Sequence, residues 1–348
     1  MLSVRENYLR AIEFKCPEWI PCGMHFAPLT WKTYRKDLEK IVMAHPGIFP
    51  EYKEGSVNFD EMPPVYRQGE YFRDNWGCLW YNNQEGLEGQ VVEHPLADWN
   101  NLATYQSPDP MLKEERGDAI KDWKQIRKSL DDAKKKGFIA GGSGERLFDR
   151  LYFLRGFENL MVDIATDDLH LPKLIQLVED YEMKLVNAWL PLGVDVMYFH
   201  TDIGTQEALM ISPDKFRKYI KPMFKRIFQI CRNSKTHVYL SSDGCHLEIV
   251  DDLIECGVSV HDPQLRANGG AKGIAKAYKG KLCVDVDLDR QSFPFVKPEE
   301  LRNQVKEVVD TIGSPEGGLM IKAGIFGGDV PLKNIEAICF AFEEFCFA

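Results

Sequence analysis

Short apolar runs recur along the second half of the chain, and most end on a polar group. FIAGG (138–142), VDVMYFHTD (194–202), HVYLSSD (237–243), GVSVHD (257–262), KLCVDVD (281–287) and GLMIKAG (318–324) each read as a buried strand. Between them the apolar period lengthens to that of a helix, as in SPDKFRKYIKPMFKRIFQICR and KPEELRNQVKEVVDTIG. Strands alternating with helices build parallel βα units. WIPCGMHF (19–26) supplies a further strand, and one more is expected in the region that follows it. That makes eight, so the predicted fold is an α/β (β/α)8 TIM barrel. The alternative is an open doubly wound sheet, marked by a dinucleotide fingerprint. GGSGER (141–146) is not G-x-G-x-x-G, and Glu145 would repel a pyrophosphate. It reads as a tight turn.

The N-terminal third is less regular. Ser3 and Glu6 fit a capping box, and Tyr8, Leu9 and Ile12 form an apolar stripe, predicting a helix over 3–14. A second helix, capped by Thr30, runs to about Met43. Residues 47–110 are rich in Pro, Gly, Asn and aromatics, and EYFRDNWGCLWYNN and GQVVEHP look like paired strands. They read as an irregular elaboration of one barrel domain spanning 1–348. EERGDAIKDWKQIRKSLDDAKKKG predicts a charged surface helix ending at Gly137.

Composition narrows the function classes. The chain has 348 residues, 44% hydrophobic and 28% charged, as expected of a globular enzyme. A net charge of −10 argues against non-specific nucleic-acid binding and against docking on anionic membranes. No apolar run reaches transmembrane length, and the N-terminus lacks the pattern of a secretory signal. The nine cysteines are dispersed without a C-x-x-C pair, which predicts reduced thiols and a cytoplasmic location.

Barrel enzymes place their chemistry at the C-terminal ends of the strands. Here those ends carry His200, Asp202 and Gln206, then Ser241 and Asp243, then Asp262, Asp287 and Lys322. One such Asp is most simply the cap of the next helix, but capping does not account for the concentration across five strands. Alternation along a strand sorts the faces. Asp243 goes with Ser241 and Tyr239, Asp202 with His200 and Tyr198, and Lys322 with Met320 and Gly324. If Asp262 points inward, His261 faces the helices. His237 lies at the wrong end for chemistry, and His246 reads as an exposed helix-start residue. Cys245 and His246 beside Asp243 leave two readings open, a metal site or a strand-to-helix turn. Trp76, Trp80, Tyr71 and Phe72 would serve either as walls for a flat substrate or as core under the elaboration.

FHTDIGTQEALMISPDKFRKYIKPMFKRIF, HVYLSSDGCHLEIVDDLIECGVSVHDPQ, DVDLDRQSFPFVKPEELRNQVKEVVDTIG and GGDVPLKNIEAI occur in that order. Together they resemble the uroporphyrinogen decarboxylase superfamily, well over 138–345 and loosely before it. The resemblance implies a (β/α)8 barrel and either decarboxylation of a porphyrinogen or cobalamin-dependent methyl transfer. The decarboxylases carry an arginine-rich R-Q-A-G-R stretch for their polyanionic substrate. The matching WIPCGMHFAPLTW has no Arg or Lys before Lys32, and the position of a family His near the last strand is Gly324. The thiol-methylating branch holds zinc with H-x-C and a later Cys. The matching positions are Ser241, Asp243 and Gly324, so the usual zinc ligands are absent. Asp243 with Asp202 or His200 leaves a different metal site open.

What the resemblance then implies is the methyl-donor side of such systems. The chain is expected to be a corrinoid-dependent methyltransferase of the O-demethylase type. It would demethylate a small substrate, a methoxylated aromatic, and pass the methyl group to the cob(I)alamin of a partner corrinoid protein. No D-x-H-x-x-G cobalamin motif occurs, so the cofactor is expected on the partner. Asp243, His200, Asp202 and Lys322 are the expected catalytic groups. Tyr198, Gln206, Ser241, Asp262, Asp287, Trp76 and Trp80 are expected around the substrate. The competing expectations are a decarboxylase or lyase of a small carboxylated substrate, and a non-catalytic binding barrel.

Overall fold

Ten strands appear in the computed structural model, which describes residues 2–112 and 120–347. They are β1 (Cys22–Phe26), β2 (Tyr71–Arg73), β3 (Leu79–Tyr81), β4 (Gln90–Glu93), β5 (Gly141–Ser143), β6 (Val196–His200), β7 (His237–Ser241), β8 (Val260–His261), β9 (Cys283–Asp287) and β10 (Leu319–Ile325). Seven form one curled parallel sheet in the order β1-β10-β9-β8-β7-β6-β5, with helices between successive strands. Each apolar run of the sequence supplies one of these strands. GGSGER departs from the expected turn: Gly141–Ser143 is strand, and the helix Leu147–Arg155 starts directly after it.

Eight-stranded closure is not seen among the described residues, because β1 and β5 are not paired with each other. The region expected to hide the eighth strand instead forms a separate antiparallel sheet, β2-β3-β4. Its strands explain why. Tyr71, Arg73, Gln90 and Glu93 are exposed, an alternation that fits a half-solvated antiparallel sheet and not a barrel strand covered on both faces.

This small sheet ties the two edges of the large one together. Glu85 is bonded to Lys32 of the helix Pro28–Ala44 at 2.6 Å. On the other side Asp74 and Glu145 hold the guanidinium of Arg150, in the helix Leu147–Arg155, at 2.8 and 2.9 Å. All three side chains are sealed from solvent. One hydrophobic core runs through both sheets and the surrounding helices.

The local signals held in part. Ser3 caps the helix Val4–Glu13 by accepting from the Glu6 N–H. Thr30 is not a cap. The helix Pro28–Ala44 begins with Pro in its first turn, and the buried Thr30 hydroxyl donates to the Ile325 and Gly327 carbonyls, both at 2.9 Å. The charged helix is Trp123–Lys135, capped by Asp122, and residues 114–119 of that stretch lie outside the described residues. All nine cysteines are free thiols. No helix among the described residues is long and apolar enough to cross a membrane.

Strand parity divides the interior. Outward residues such as Phe199, Leu240, Val286 and Ile321 join the helix-side core. Inward residues Val196, Tyr239, Val260, Cys283 and Met320 form a smaller cluster with Ala11 and Ile12 of the first helix. That helix plugs the N-terminal end of the sheet. The Gly318 N–H bonds the Ala11 carbonyl at 2.9 Å, and Arg5 pairs with Asp195 at 2.6 Å. Apart from His237, which meets Glu13 of the first helix at the start of β7, the inward carboxyl, ammonium and imidazole groups lie in the middle and upper half of the strands.

Arg150→Met should destabilise the chain by about 3–5 kcal/mol, because it leaves the buried Asp74 and Glu145 without their counter-ion. Chemical denaturation checks this. A loss below about 1 kcal/mol, the scale of an exposed pair, would show that the bridge does not hold the two sheets together.

Candidate active site

Lys322 lies midway along β10, opposite Asp287 of β9 and Gly23 of β1 in the strand register. Its ammonium donates to the Asp262 carboxylate and lies 3.5 Å from the Tyr239 hydroxyl. Asp262 follows the short β8 and is buried. The oxygen that faces Lys322 also accepts from the Ser241 hydroxyl at 2.6 Å, and its other oxygen accepts from the Ser242 N–H at 2.9 Å. The Tyr239 hydroxyl in turn donates to Asp285 at 2.8 Å. Strands β7 to β10 thus meet in one polar hub.

Above the hub lies a rim. Asp202 accepts from the Asp243 N–H at 3.0 Å, and the Asp243 carboxylate pairs with Arg290. Arg290 also approaches Asp287 to 3.4 Å and lies over the Phe326 ring at 4.9 Å. The loops after β6 and β7 touch backbone to backbone: a Cβ on Gly244, whose φ is +98°, would collide with Gly204. Arg290, Phe295, Phe326, Leu29 and Leu87 line a cleft of about 330 Å³ at this level.

The crowded Asp243, Cys245 and His246 are not a metal site. Among the described residues no three His, Cys, Asp or Glu side chains are grouped to hold a metal. Asp243 is not a cap either, since its carboxylate is on Arg290 and the helix Val250–Cys256 has no side-chain cap. His246 is fully buried, against expectation. Its ring lies 2.8 Å from the Ser242 hydroxyl and packs on His261, so it anchors the loop from behind.

Charge balance sets the protonation. Five carboxyls (Asp202, Asp243, Asp262, Asp285 and Asp287) surround two cations, Lys322 and Arg290. Asp262 and Asp243 take those cations as direct partners. Burial raises the other three: Asp285 to about 6, Asp287 to about 7, and Asp202 in the same direction. For Lys322 burial opposes the charge, but Asp262, Asp285 and Asp287 outweigh it and hold its pKa above the ordinary value. The His200 ring opens into the mouth, yet burial by its walls, with Arg146 and Lys322 nearby, lowers its pKa and favours the neutral imidazole.

The remaining expected residues divide. Gln206 sits on the rim, 3.3 Å from Gln264. Tyr198 lies lower, its ring against Tyr239. Trp76 and Trp80 do not line the site. They are 1% and 3% exposed, and their indole N–H groups are taken by Glu145 and Asp74 at 3.2 and 3.0 Å. The antiparallel sheet turns that face onto the helix Leu147–Arg155, while Tyr71 points to solvent. The aromatic walls at the mouth are Phe326 and Phe295 instead. Sequence reasoning also missed Asp285 and Arg290. Parity from Asp287 points to Asp285, and Arg290 stands three residues beyond it in DVDLDRQ.

The family profile described as "Uroporphyrinogen decarboxylase (URO-D)" matches residues 80–345. The chain belongs to the uroporphyrinogen decarboxylase family. No curated protein sequence matches it. Among solved structures, a methyltransferase from Methanosarcina mazei is similar with a TM-score of 0.68 and 16% identity, covering 99% of each chain, a likeness of fold. A D-psicose 3-epimerase from Clostridium cellulolyticum H10 gives 0.40 and 10%, over 65% of this chain and 85% of that one. A dihydropteroate synthase from Xanthomonas albilineans gives 0.34 and 11%, over 56% and 64%. In this URO-D family member the three positions matched to zinc ligands are otherwise engaged. Ser241 is on Asp262, Asp243 is on Arg290, and a Cβ at Gly324 would strike the Phe326 ring.

Asp287 makes stability depend on pH. Its native pKa of about 7 lies above the ordinary value of about 3.9. The native state therefore keeps a proton that the unfolded chain releases. The contribution is complete below pH about 4 and is lost as pH rises through about 7. Asp287→Asn removes it, so urea midpoints between pH 5 and 8 should fall less steeply in the variant. Parallel profiles would show that Asp287 is ionised throughout.

Proposed function

We propose that this chain is a methyltransferase that demethylates a small methoxylated aromatic and hands the methyl group to the cob(I)alamin of a partner corrinoid protein. One observation carries the reading. A charged ammonium, Lys322, stands beside a buried carboxyl, Asp287, that keeps its proton up to a pH of about 7. Such a pair is suited to an anionic leaving group. The likeness of fold to the Methanosarcina methyltransferase, over the full length of both chains, supports the reaction class.

When docked, the reduced corrinoid supplies a nucleophile strong enough to take a methyl group, so no nucleophile is required of this chain. Its residues deal with the other end of the bond. As the oxygen–methyl bond breaks, the electron pair stays on oxygen, and a phenolate leaves poorly unless that charge is met. Asp287 donates its proton to the oxygen, and a Lys322 N–H stabilises the charge while it develops. Asp262 fixes the ammonium in place. The neutral His200 imidazole and Asp202 orient the donor, with Ser241, Gln206 and Tyr198 around it. Asp243 acts through Arg290, which it holds over Phe326 to shape the cleft wall. No step is assigned to zinc, because the matching positions do not form a ligand set. A partner bringing the corrinoid would meet the ring of Phe295, 85% exposed, beside the polar rim.

The decisive assay mixes the chain with a reduced corrinoid protein and a methoxylated aromatic and follows the corrinoid absorption. Methylation of the corrinoid is the expected outcome. Carbon dioxide release without methylation would replace the reading with a lyase, and no turnover across a donor screen would leave a binding barrel. Asp243→Asn should lower turnover by about 10²-fold, the scale of misplacing a substrate by about 1 Å when the wall held by Arg290 shifts. It should barely change stability, because the carboxylate caps no helix. Wild-type rates in Asp243→Asn would remove Asp243 from the mechanism.

A further inference from the structure

We infer that the chain carries a second small-molecule site, on the side of the sheet, that binds an aromatic alcohol. A cavity of about 310 Å³ opens between the first helix, residues 47–50 and the end of the C-terminal helix. This is within the range of ligand pockets, roughly 300–1,000 Å³. Its walls are apolar: Ile48, Met320, and Trp19 stacked near Phe347 with ring centroids 6.4 Å apart. Its polar lining is Asn7, Tyr8, Asp285 and Lys322, of which the last two carry the charge. An apolar chamber with a few convergent polar groups at one end is the general form of a small-molecule site.

The polar end favours a hydroxyl. An ammonium has three N–H donors, and Lys322 directs two, to Asp262 and to Tyr239. The third is available to a ligand oxygen, and the same hydroxyl can donate to the Asp285 carboxylate. The flat apolar walls suit a ring carrying that hydroxyl. Gly23 makes room for it: a Cβ there would meet nothing within 4 Å. Gly23 is the register partner of Lys322, while His25, two residues on and on the same face, opens at the mouth. Lys322 is therefore reachable from two directions. A partner seated on the mouth would leave the side cavity uncovered, so the demethylated alcohol could depart there. That last assignment rests on the methyl-transfer reading, whereas the binding site does not.

Phenol is the probe, titrated into the isolated chain by calorimetry without any corrinoid protein. Gly23→Leu should fill the cavity and weaken binding by 10-fold or more, with an unchanged melting temperature. Wild-type affinity in a folded Gly23→Leu, or no phenol binding by the wild type, overturns the site. Crystals of the unmodified chain soaked in 4-bromophenol give a second test. Bromine beside Trp19, Gly23 and Phe347 supports it, and bromine only at the mouth beside Phe326 refutes it. Neither readout involves methyl transfer, so failure of the corrinoid assay would leave this result intact, and the reverse also holds.

Discussion

The ion pair between Lys322 and Asp262 is the contact on which the site depends. Removing an ammonium and a carboxylate from water is expensive, and the attraction between them repays it only when the remaining lone pairs and protons are also bonded. Here they are. Both Asp262 oxygens are occupied, one by the Ser242 N–H and the other by Ser241 and Lys322. The pair therefore joins the ends of β7 and β8 to the middle of β10 and fixes which groups face one another across the mouth. It also uses the one central cation. Asp285 and Asp287 are left to compete for what remains of its field, and burial decides their state.

Sealing the bottom of the sheet and tuning its top are one effect. The first helix packs against Val196, Val260, Cys283 and Met320 in the lower interior, and this apolar layer excludes bulk water beneath the carboxyls except at the side cavity. In a water-filled barrel Asp285 and Asp287 would ionise as ordinary carboxylates do. Desolvation is the largest influence on both. The apolar layer thus acts on the chemistry without touching a substrate.

Repetitive features were legible in the sequence. The strand runs and their inward faces follow from apolar alternation, which reads the same wherever it occurs. So the sequence alone places His200, Asp202, Ser241, Asp243, Asp262, Asp287 and Lys322 on one mouth. Features set by tertiary contact were not legible. Thr30 looks like a cap until Ile325 at the end of β10 and Gly327 beyond it offer their carbonyls. His246 looks exposed until Ser242 and His261 enclose it. Trp76 and Trp80 look like pocket walls, but the indole nitrogens find buried carboxylates, Glu145 far along the chain and Asp74 nearby. Arg290 and Phe326 sit on loops, where no periodicity tells which way a side chain points. The missing barrel strand belongs to the same class, because whether an alternating segment joins a parallel or an antiparallel sheet depends on which partner covers it.

The backbone contact between Gly204 and Gly244 bears on how this family member can change. Two loops interlocked at their main chains behave as one part, and neither can be lengthened or shortened unless the other is altered to match. Change at that part of the mouth is therefore channelled into single side chains, which replace the chemistry at Asp202 or Asp243 and leave the scaffold alone. The elaboration over 47–110 is under no such constraint away from anchors such as Tyr52, Asp74, Glu85, Glu88 and Leu96. Differences in length among relatives should accumulate there, so new substrate preferences would come from the rim and new reactions from the strand ends.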